Sequence, residues 1–117
     1  VAYSHAGVEP QLMGLGPIPA VQRLFKISGL KPADMDVIES NEAFAVQAMA
    51  VTRDLELDPA KVNPNGGAVA LGHPIGATGA ILTVKALYEL QRIKKRYALV
   101  TMCIGGGQGI AAIFERM

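Results

Sequence analysis

Two reactive side chains in this sequence, His73 and Cys103, each lie in a run rich in glycine. His73 lies in residues 72–76 (GHPIG), and Cys103, the only cysteine, begins residues 103–107 (CIGGG). Glycine allows backbone and ligand to approach closely, so a reactive side chain beside glycines often faces a site. This setting predicts that His73 and Cys103 do chemistry.

Taken alone, each residue also has an ordinary explanation. A free cysteine is among the most buried residue types, and a lone histidine is commonly a hydrogen-bonded, partly buried residue. The surroundings favour function, because Gly72 and Pro74 fix the approach to the ring of His73. The three glycine amides that follow Cys103 can form an anion-binding concavity. Such donors and a nearby histidine predict a thiol pKa below its ordinary value of about 8.5.

Asn41 is the third candidate, at the junction between a predicted strand and a predicted helix. The simple interpretation is a helix N-cap, with Glu42 in the first turn. The functional interpretation is an amide that holds a water molecule at the end of the strand. The sequence leaves both open.

Composition narrows the class of protein. Half of the 117 residues are apolar, which is enough for one domain with a core. Eleven basic and ten acidic residues leave a net charge of +1, which gives no electrostatic case for nucleic acid or an anionic membrane surface. One cysteine and two histidines cannot form an internal disulfide or supply four zinc ligands. We therefore expect small-molecule chemistry in a reducing compartment, with no metal.

Strands that alternate with helices predict a layered α/β domain with a mixed sheet, and an antiparallel hairpin at the C-terminal end. The expected strands are 1–4, 36–40, 97–103 and 110–114. The expected helices are 17–28, closed by Gly29, then 43–55, and a long one from 76 or 77 to about 95. Residues 7–16 and 58–76 are expected to be loops.

Five segments together closely resemble the C-terminal motifs of the thiolases. They are residues 13–20 (MGLGPIPA), 41–45 (NEAFA), 65–68 (NGGA), 72–79 (GHPIGATG) and 103–109 (CIGGGQG). The resemblance spans nearly the whole chain and implies a thiolase-type half-fold. It also implies that residues 1–117 are the C-terminal domain of a longer chain, whose N-terminal and loop domains are absent here.

The resemblance implies an acyltransferase that condenses two acyl-CoA thioesters to a 3-oxoacyl-CoA, such as acetoacetyl-CoA, or runs the reverse cleavage with CoA. His73 would activate a nucleophilic cysteine of the N-terminal half, and Cys103 would move the α-carbon proton. Asn41, through a water, and the Gly105 amide would stabilise developing oxyanions. The acyl-CoA pocket would be lined by Met13, Ala43 and Phe44. No cofactor is implied beyond the CoA substrates.

Two alternatives remain at this point. One is a decarboxylating condensing enzyme, which pairs its nucleophile with different partners, commonly a second histidine, whereas Asn41 and Cys103 favour the thiolase. The other is a thiolase-like CoA-binding or assembly module without activity of its own, which suits the isolated fragment. For the complete protein we expect a cytoplasmic homodimer or homotetramer in fatty acid metabolism, without nucleic acid or membrane partners.

Overall fold

Four strands form one sheet with helices on both faces, in a computed structural model that describes residues 1–117. The strands are β1 (Ala2–Gly7), β2 (Val37–Ser40), β3 (Tyr97–Ile104) and β4 (Gln108–Glu115). The helices are α1 (Pro17–Ser28), α2 (Ala45–Asp54), α3 (Ala68–Leu71) and α4 (Thr78–Ile93). Short 3₁₀ turns lie at Pro10–Leu15, Pro32–Asp34 and Pro59–Lys61.

The sheet is mixed, in the order β1-β4-β3-β2. Strands β2 and β3 are parallel, with Ser40 opposite Thr101. Strands β3 and β4 form the predicted antiparallel hairpin, with Cys103 opposite Gly109, and β1 pairs antiparallel with β4. The predicted α/β class, mixed sheet and C-terminal hairpin are confirmed.

Each face of the sheet has its own core because successive strand residues point to opposite sides. On one face, Ile38 and Leu99 pack in a cluster that includes Leu24 of α1. On the other face, Val37 and Ala98 pack in a cluster formed with α4. The short strand β2 is therefore buried along its whole length, although its sequence is mixed.

The boundaries of α1 follow the sequence prediction closely. Prolines occupy its first turn, and it ends at Gly29, whose φ of 72° is the left-handed conformation that favours glycine at a helix end. The long helix α4 is also confirmed, although it ends at Ile93, two residues before the expected end, with Lys94 in the left-handed conformation.

The prediction that Asn41 caps the second helix is wrong. Helix α2 begins at Ala45 with Phe44 as its N-cap, so Glu42 does not lie in its first turn. The backbone N–H of Asn41 instead donates to Thr101 O at 3.0 Å, which continues the pairing of β2 with β3. Residues 41–44 are therefore a non-helical connection that bends at Ala43 and Phe44, and the side chains of Asn41 and Glu42 are available for other contacts.

Two predicted loops contain short helical elements, the 3₁₀ turn Pro10–Leu15 and helix α3 within residues 58–76. Strands β1 and β4 each extend beyond their predicted limits, by pairing with one another. No helix is both long and apolar enough to cross a membrane. No group of three or more His, Cys, Asp or Glu side chains is placed to hold a metal ion.

Candidate active site

The candidate residues meet where the parallel strands β2 and β3 end. Asn41 follows β2 directly, and Cys103 is the penultimate residue of β3. Because parallel strands bring their carboxyl ends to one edge of the sheet, two residues distant in sequence are placed side by side there. The fold thus explains why Asn41 and Cys103 belong to one site.

His73 reaches this edge from the segment between α3 and α4. Its Nε2 lies 3.4 Å from Nδ2 of Asn41, and its Nδ1 lies 2.6 Å from Oγ1 of Thr78. Asn41 and Thr78 are almost fully buried, with 1% and 3% of their surface exposed. The histidine ring is therefore held from both sides by fixed partners.

The hydrogen bonds of Thr78 determine which nitrogen of His73 carries hydrogen. The Thr78 hydroxyl donates its single proton to Pro74 O at 2.9 Å, so it must accept from Nδ1–H of His73. In the neutral ring Nε2 then has no hydrogen and accepts from the Asn41 amide. His73 consequently has a ring nitrogen without hydrogen, and a thiol that replaces the long 3.4 Å contact with Asn41 could give it a proton.

A cavity of about 450 Å³ brings the remaining predicted residues together. The predicted residues that line it are Met13, Ala43, Phe44, His73, Cys103 and Gly105. Phe44 and Met13 are 69% and 46% exposed, so they form an open rim in this chain. Asn41 lies behind His73 as its hydrogen-bond partner. The structure therefore places all seven predicted site residues at one location.

The expectation of a lowered pKa at Cys103 is wrong for this chain. Half-burial among apolar groups raises the pKa of the Cys103 thiol, and a hydrogen bond with its own backbone only partly opposes this. No ion pair or side-chain hydrogen bond reaches the sulfur atom. The glycines that follow Cys103 in sequence belong to the hairpin turn. Their amides therefore donate no hydrogen bond to the thiol, although they are its neighbours along the chain.

The glycines after Cys103 serve different purposes. Gly106 and Gly107 have φ of 82° and 87°, which a β-hairpin turn requires and other residues rarely adopt. A side chain at Gly107 would also collide with the backbone of Val8 and Pro10. Gly105 has open space around it and its amide donates to none of the turn and loop hydrogen bonds. That amide is available to an incoming oxygen atom.

A second, larger groove of about 630 Å³ lies along α2, lined in part by Met49, Thr52 and Val69. It contains neither His73 nor Cys103. This groove is the larger of the two, but the smaller cavity contains the reactive side chains and is therefore the candidate site.

Sequence reasoning missed several residues of the site. The sequence pattern predicts no role for Thr78, although its position at the start of a helix, five residues after His73, is a signal for one. The cavity is also lined by Gln47, Ile75, Met102 and Ile104. Gln47 is 8% exposed and neither atom of its amide has a hydrogen-bond partner, and its helical spacing from Phe44 was the only clue.

Comparison with known proteins agrees with the fold. The family model described as "Thiolase, C-terminal domain" matches residues 1–116. The chain is 68% identical over 117 residues to the beta-ketothiolase BktB of Cupriavidus necator, covering all of this chain and 30% of that relative. It is 61% identical over 119 residues to the 3-oxoadipyl-CoA/3-oxo-5,6-dehydrosuberyl-CoA thiolase of Escherichia coli, again covering all of this chain and 30% of the relative.

Solved structures show the same architecture. The human mitochondrial 3-ketoacyl-CoA thiolase in complex with CoA superposes with a TM-score of 0.97 at 50% identity, over 100% of this chain and 30% of that one. The Bacillus anthracis acetyl-CoA acetyltransferase gives 0.97 at 46% identity, over 98% and 29%. The chain belongs to the thiolase family and matches its C-terminal domain. It spans about 30% of the length of these relatives.

Proposed function

We propose that the full-length protein, in which residues 1–117 form the C-terminal domain, is a thiolase. It would transfer acyl groups between CoA thioesters, by condensing two acyl-CoA molecules to a 3-oxoacyl-CoA and CoA or by the reverse cleavage. The main support is geometric: an unprotonated Nε2 of His73, fixed by Thr78 and Asn41, shares a cavity wall with Cys103. The names of the relatives point to the same class of reaction.

In the first half-reaction, a cysteine of the N-terminal part would give its thiol proton to Nε2 of His73. Its sulfur bonds to the thioester carbonyl carbon, the bond from that carbon to the CoA sulfur breaks, and CoA leaves with the proton from His73. The amide of Gly105, which has no other backbone acceptor among the turn and loop hydrogen bonds, would donate to the carbonyl oxygen as negative charge develops there.

In the second half-reaction, the raised pKa of the Cys103 thiol makes a proton acceptor useful. Because no hydrogen bond joins the two side chains, Cys103 would pass its proton to His73 through an intervening water, and its thiolate would then remove a proton from the α-carbon of the second acyl-CoA. The protonated ring, together with a water on Asn41, would stabilise the enolate oxygen; Oδ1 of Asn41 is buried without a partner and suits that water. The α-carbon bonds to the acyl carbon, the acyl–cysteine bond breaks, and the released thiolate takes the proton from His73.

The domain assignment is part of the same proposal. The only cysteine of this chain is Cys103, so the nucleophile must come from an N-terminal part, and the 117 residues alone are expected to be inactive. Large apolar side chains stand exposed around the site, including Ile75 at 83% and Phe44 at 69%. An exposed apolar patch of this kind suits a covering partner.

Several finer assignments are also proposals. A single free cysteine suits a reducing compartment such as the cytoplasm. A homodimer or homotetramer, a role in fatty acid metabolism, and the use of CoA thioesters without another cofactor are what the family resemblance implies. Size-exclusion chromatography with light scattering of the full-length protein measures the oligomeric state directly.

The test measures CoA-dependent cleavage of acetoacetyl-CoA by the full-length protein; the preceding part of the Cupriavidus necator relative can supply the N-terminal part. The wild-type protein should be active, and His73→Ala and Cys103→Ala should each lower kcat by about 10²-fold or more. His5→Ala is the matched control, because His5 lies exposed on β1, and it should leave kcat unchanged. An inactive wild-type protein, or full activity in both site variants, would overturn the proposal.

A further inference from the structure

We propose that Glu42 is a positioning residue whose carboxylate holds the segment carrying His73 in register with Asn41. The inference rests on the proposed roles of His73 and Asn41. Glu42 follows Asn41 in the chain. The amide of Asn41 contacts His73 itself, and the carboxylate of Glu42 contacts the segment that leads to His73. The predicted role of Glu42 in a helical first turn is replaced by this contact.

The carboxylate contacts the segment at two points. Its Oε2 accepts from the backbone N–H of Val69 at 2.9 Å, and its Oε1 accepts from Nδ2 of Asn63 at 3.3 Å. Val69 lies in helix α3, four residues before His73. Both bonds are to segments remote in sequence, so they fix tertiary geometry and not a local turn.

Asn63 provides a rigid base for this arrangement. Its side chain pairs with the backbone of Ser40 as a neighbouring strand would. Oδ1 accepts from Ser40 N–H and Nδ2 donates to Ser40 O, each at 2.9 Å. Its backbone N–H donates to Ile38 O at 2.7 Å. The segment is thus anchored to β2 at Asn63, and Glu42 extends the anchorage from there to α3.

Gly67 gives independent evidence that the carboxylate is closely packed against the segment. Its φ of −105° is available to any residue, so the backbone conformation does not require glycine. A Cβ atom at this position would collide with the carboxyl group of Glu42. A side chain at position 67 would therefore have to displace the Glu42 carboxyl group from its present position.

Apolar packing does not hold this segment in the chain. Val69, Leu71 and Ile75 are 69%, 62% and 83% exposed, so hydrogen bonds must determine where α3 and His73 lie. Loss of the Glu42 contacts should let α3 move while the cores on either face of the sheet stay intact. A displacement of about 1 Å at a catalytic group can cost about 10²-fold in rate.

The experiment compares Glu42→Ala, Glu42→Gln and Gly67→Ala in the full-length protein. Glu56→Gln is the matched control, because Glu56 lines the same groove as Glu42 but is exposed and makes no hydrogen bond to the segment. The readouts are kcat and KM for acetoacetyl-CoA cleavage, and backbone hydrogen exchange of residues 63–77 by mass spectrometry.

We expect kcat to fall by about 10-fold to 10²-fold in Glu42→Ala and Gly67→Ala, with KM little changed and exchange in residues 63–77 increased. Glu42→Gln, which keeps one acceptor oxygen, should recover part of the kcat loss, and Glu56→Gln should match wild type. Unchanged kcat and unchanged exchange in folded Glu42→Ala or Gly67→Ala would overturn the inference. So would increased exchange without loss of kcat. If wild type has no thiolase activity, the proposed function fails, whereas the exchange data still show whether Glu42 holds the segment.

Discussion

Oγ1 of Thr78 lies 2.6 Å from Nδ1 of His73 and donates its own proton to Pro74 O. One hydroxyl thereby sets both the orientation of the imidazole and the nitrogen that carries hydrogen. The basic Nε2 faces Asn41 as a direct consequence. This buried threonine contacts the ring of His73 and does not itself line the cavity.

Thr78→Val should lower kcat, because the ring loses its Nδ1 acceptor and can adopt the wrong tautomer. Misplacement of a catalytic group by about 1 Å can cost about 10²-fold in rate, so a loss of about 10-fold to 10²-fold is expected. Thr78→Ser should retain activity, since it keeps the hydroxyl. The assay is steady-state cleavage of acetoacetyl-CoA by the full-length protein.

Thr83→Val is the matched control for that substitution. Thr83 lies on the same helix, and its hydroxyl makes the same type of bond, to the carbonyl four residues earlier at 2.8 Å. It does not contact His73. Equal losses in the two variants would mean that the hydroxyl acts on the helix and not on the histidine.

Cys103 should react slowly with alkylating reagents at neutral pH. Burial raises the pKa of its thiol, so the thiolate should become populated only at a pH above that of a free thiol, about 8.5. Because Cys103 is the only cysteine, the iodoacetamide rate of the 117-residue chain reports this residue alone. The same chain unfolded in urea is the control, and its alkylation rate should rise at a lower pH than that of the folded chain. If the rate of the folded chain rises at the same pH or at a lower one, burial does not raise the pKa of the thiol.

Lys85→Met should destabilise the fold. Nζ of Lys85 lies 2.7 Å from Oε2 of Glu39, whose side chain is fully buried, and it also donates to Gly66 O. Removing the lysine leaves an unpaired buried carboxylate, which typically costs about 3–5 kcal/mol. Urea unfolding measures the loss, and the double variant with Glu39→Gln should regain part of it. Lys26→Met, on the exposed surface of α1, is the control.

The pH dependence of that loss has a definite sign. Burial raises the pKa of Glu39 above its ordinary value of 4.5, and Lys85 opposes the rise. Without Lys85 the folded-state pKa rises further, so the folded protein binds the proton more tightly than the unfolded chain does. The destabilisation should therefore be small below pH 4.5 and grow as pH rises through the folded-state pKa. If Lys85→Met lowers the free energy of unfolding equally at acid and neutral pH, the effect comes from lost packing and not from the charge of Glu39.

The sequence predicted best where local signals and tertiary packing agree. Helix α1 has prolines in its first turn, an apolar face and Gly29 at its end, and each signal acts within a few residues. The hairpin of β3 and β4 is similarly encoded by apolar runs on either side of a glycine turn. The motifs around His73 and Cys103 identified the site because glycine beside a reactive residue is a local feature.

The predictions from sequence were wrong where a residue could bond either to neighbours along the chain or to residues distant in sequence. Asn41 has the residue type of an N-cap, but strand pairing with Thr101 extends the backbone there, and its amide contacts His73, 32 residues away. The pKa of Cys103 depends on which groups surround its sulfur in space. Neither the partners of Asn41 nor the groups around the Cys103 sulfur can be predicted from spacing along the chain.

The central claim is that His73 serves both half-reactions and Cys103 only the second. The most direct measurement is exchange of labelled CoA into acetyl-CoA by full-length Cys103→Ala, alongside its rate of acetoacetyl-CoA formation. In Cys103→Ala, exchange should persist while condensation is lost, and His73→Ala should lose both. Loss of exchange in a folded Cys103→Ala protein, or condensation at the wild-type rate, would contradict it.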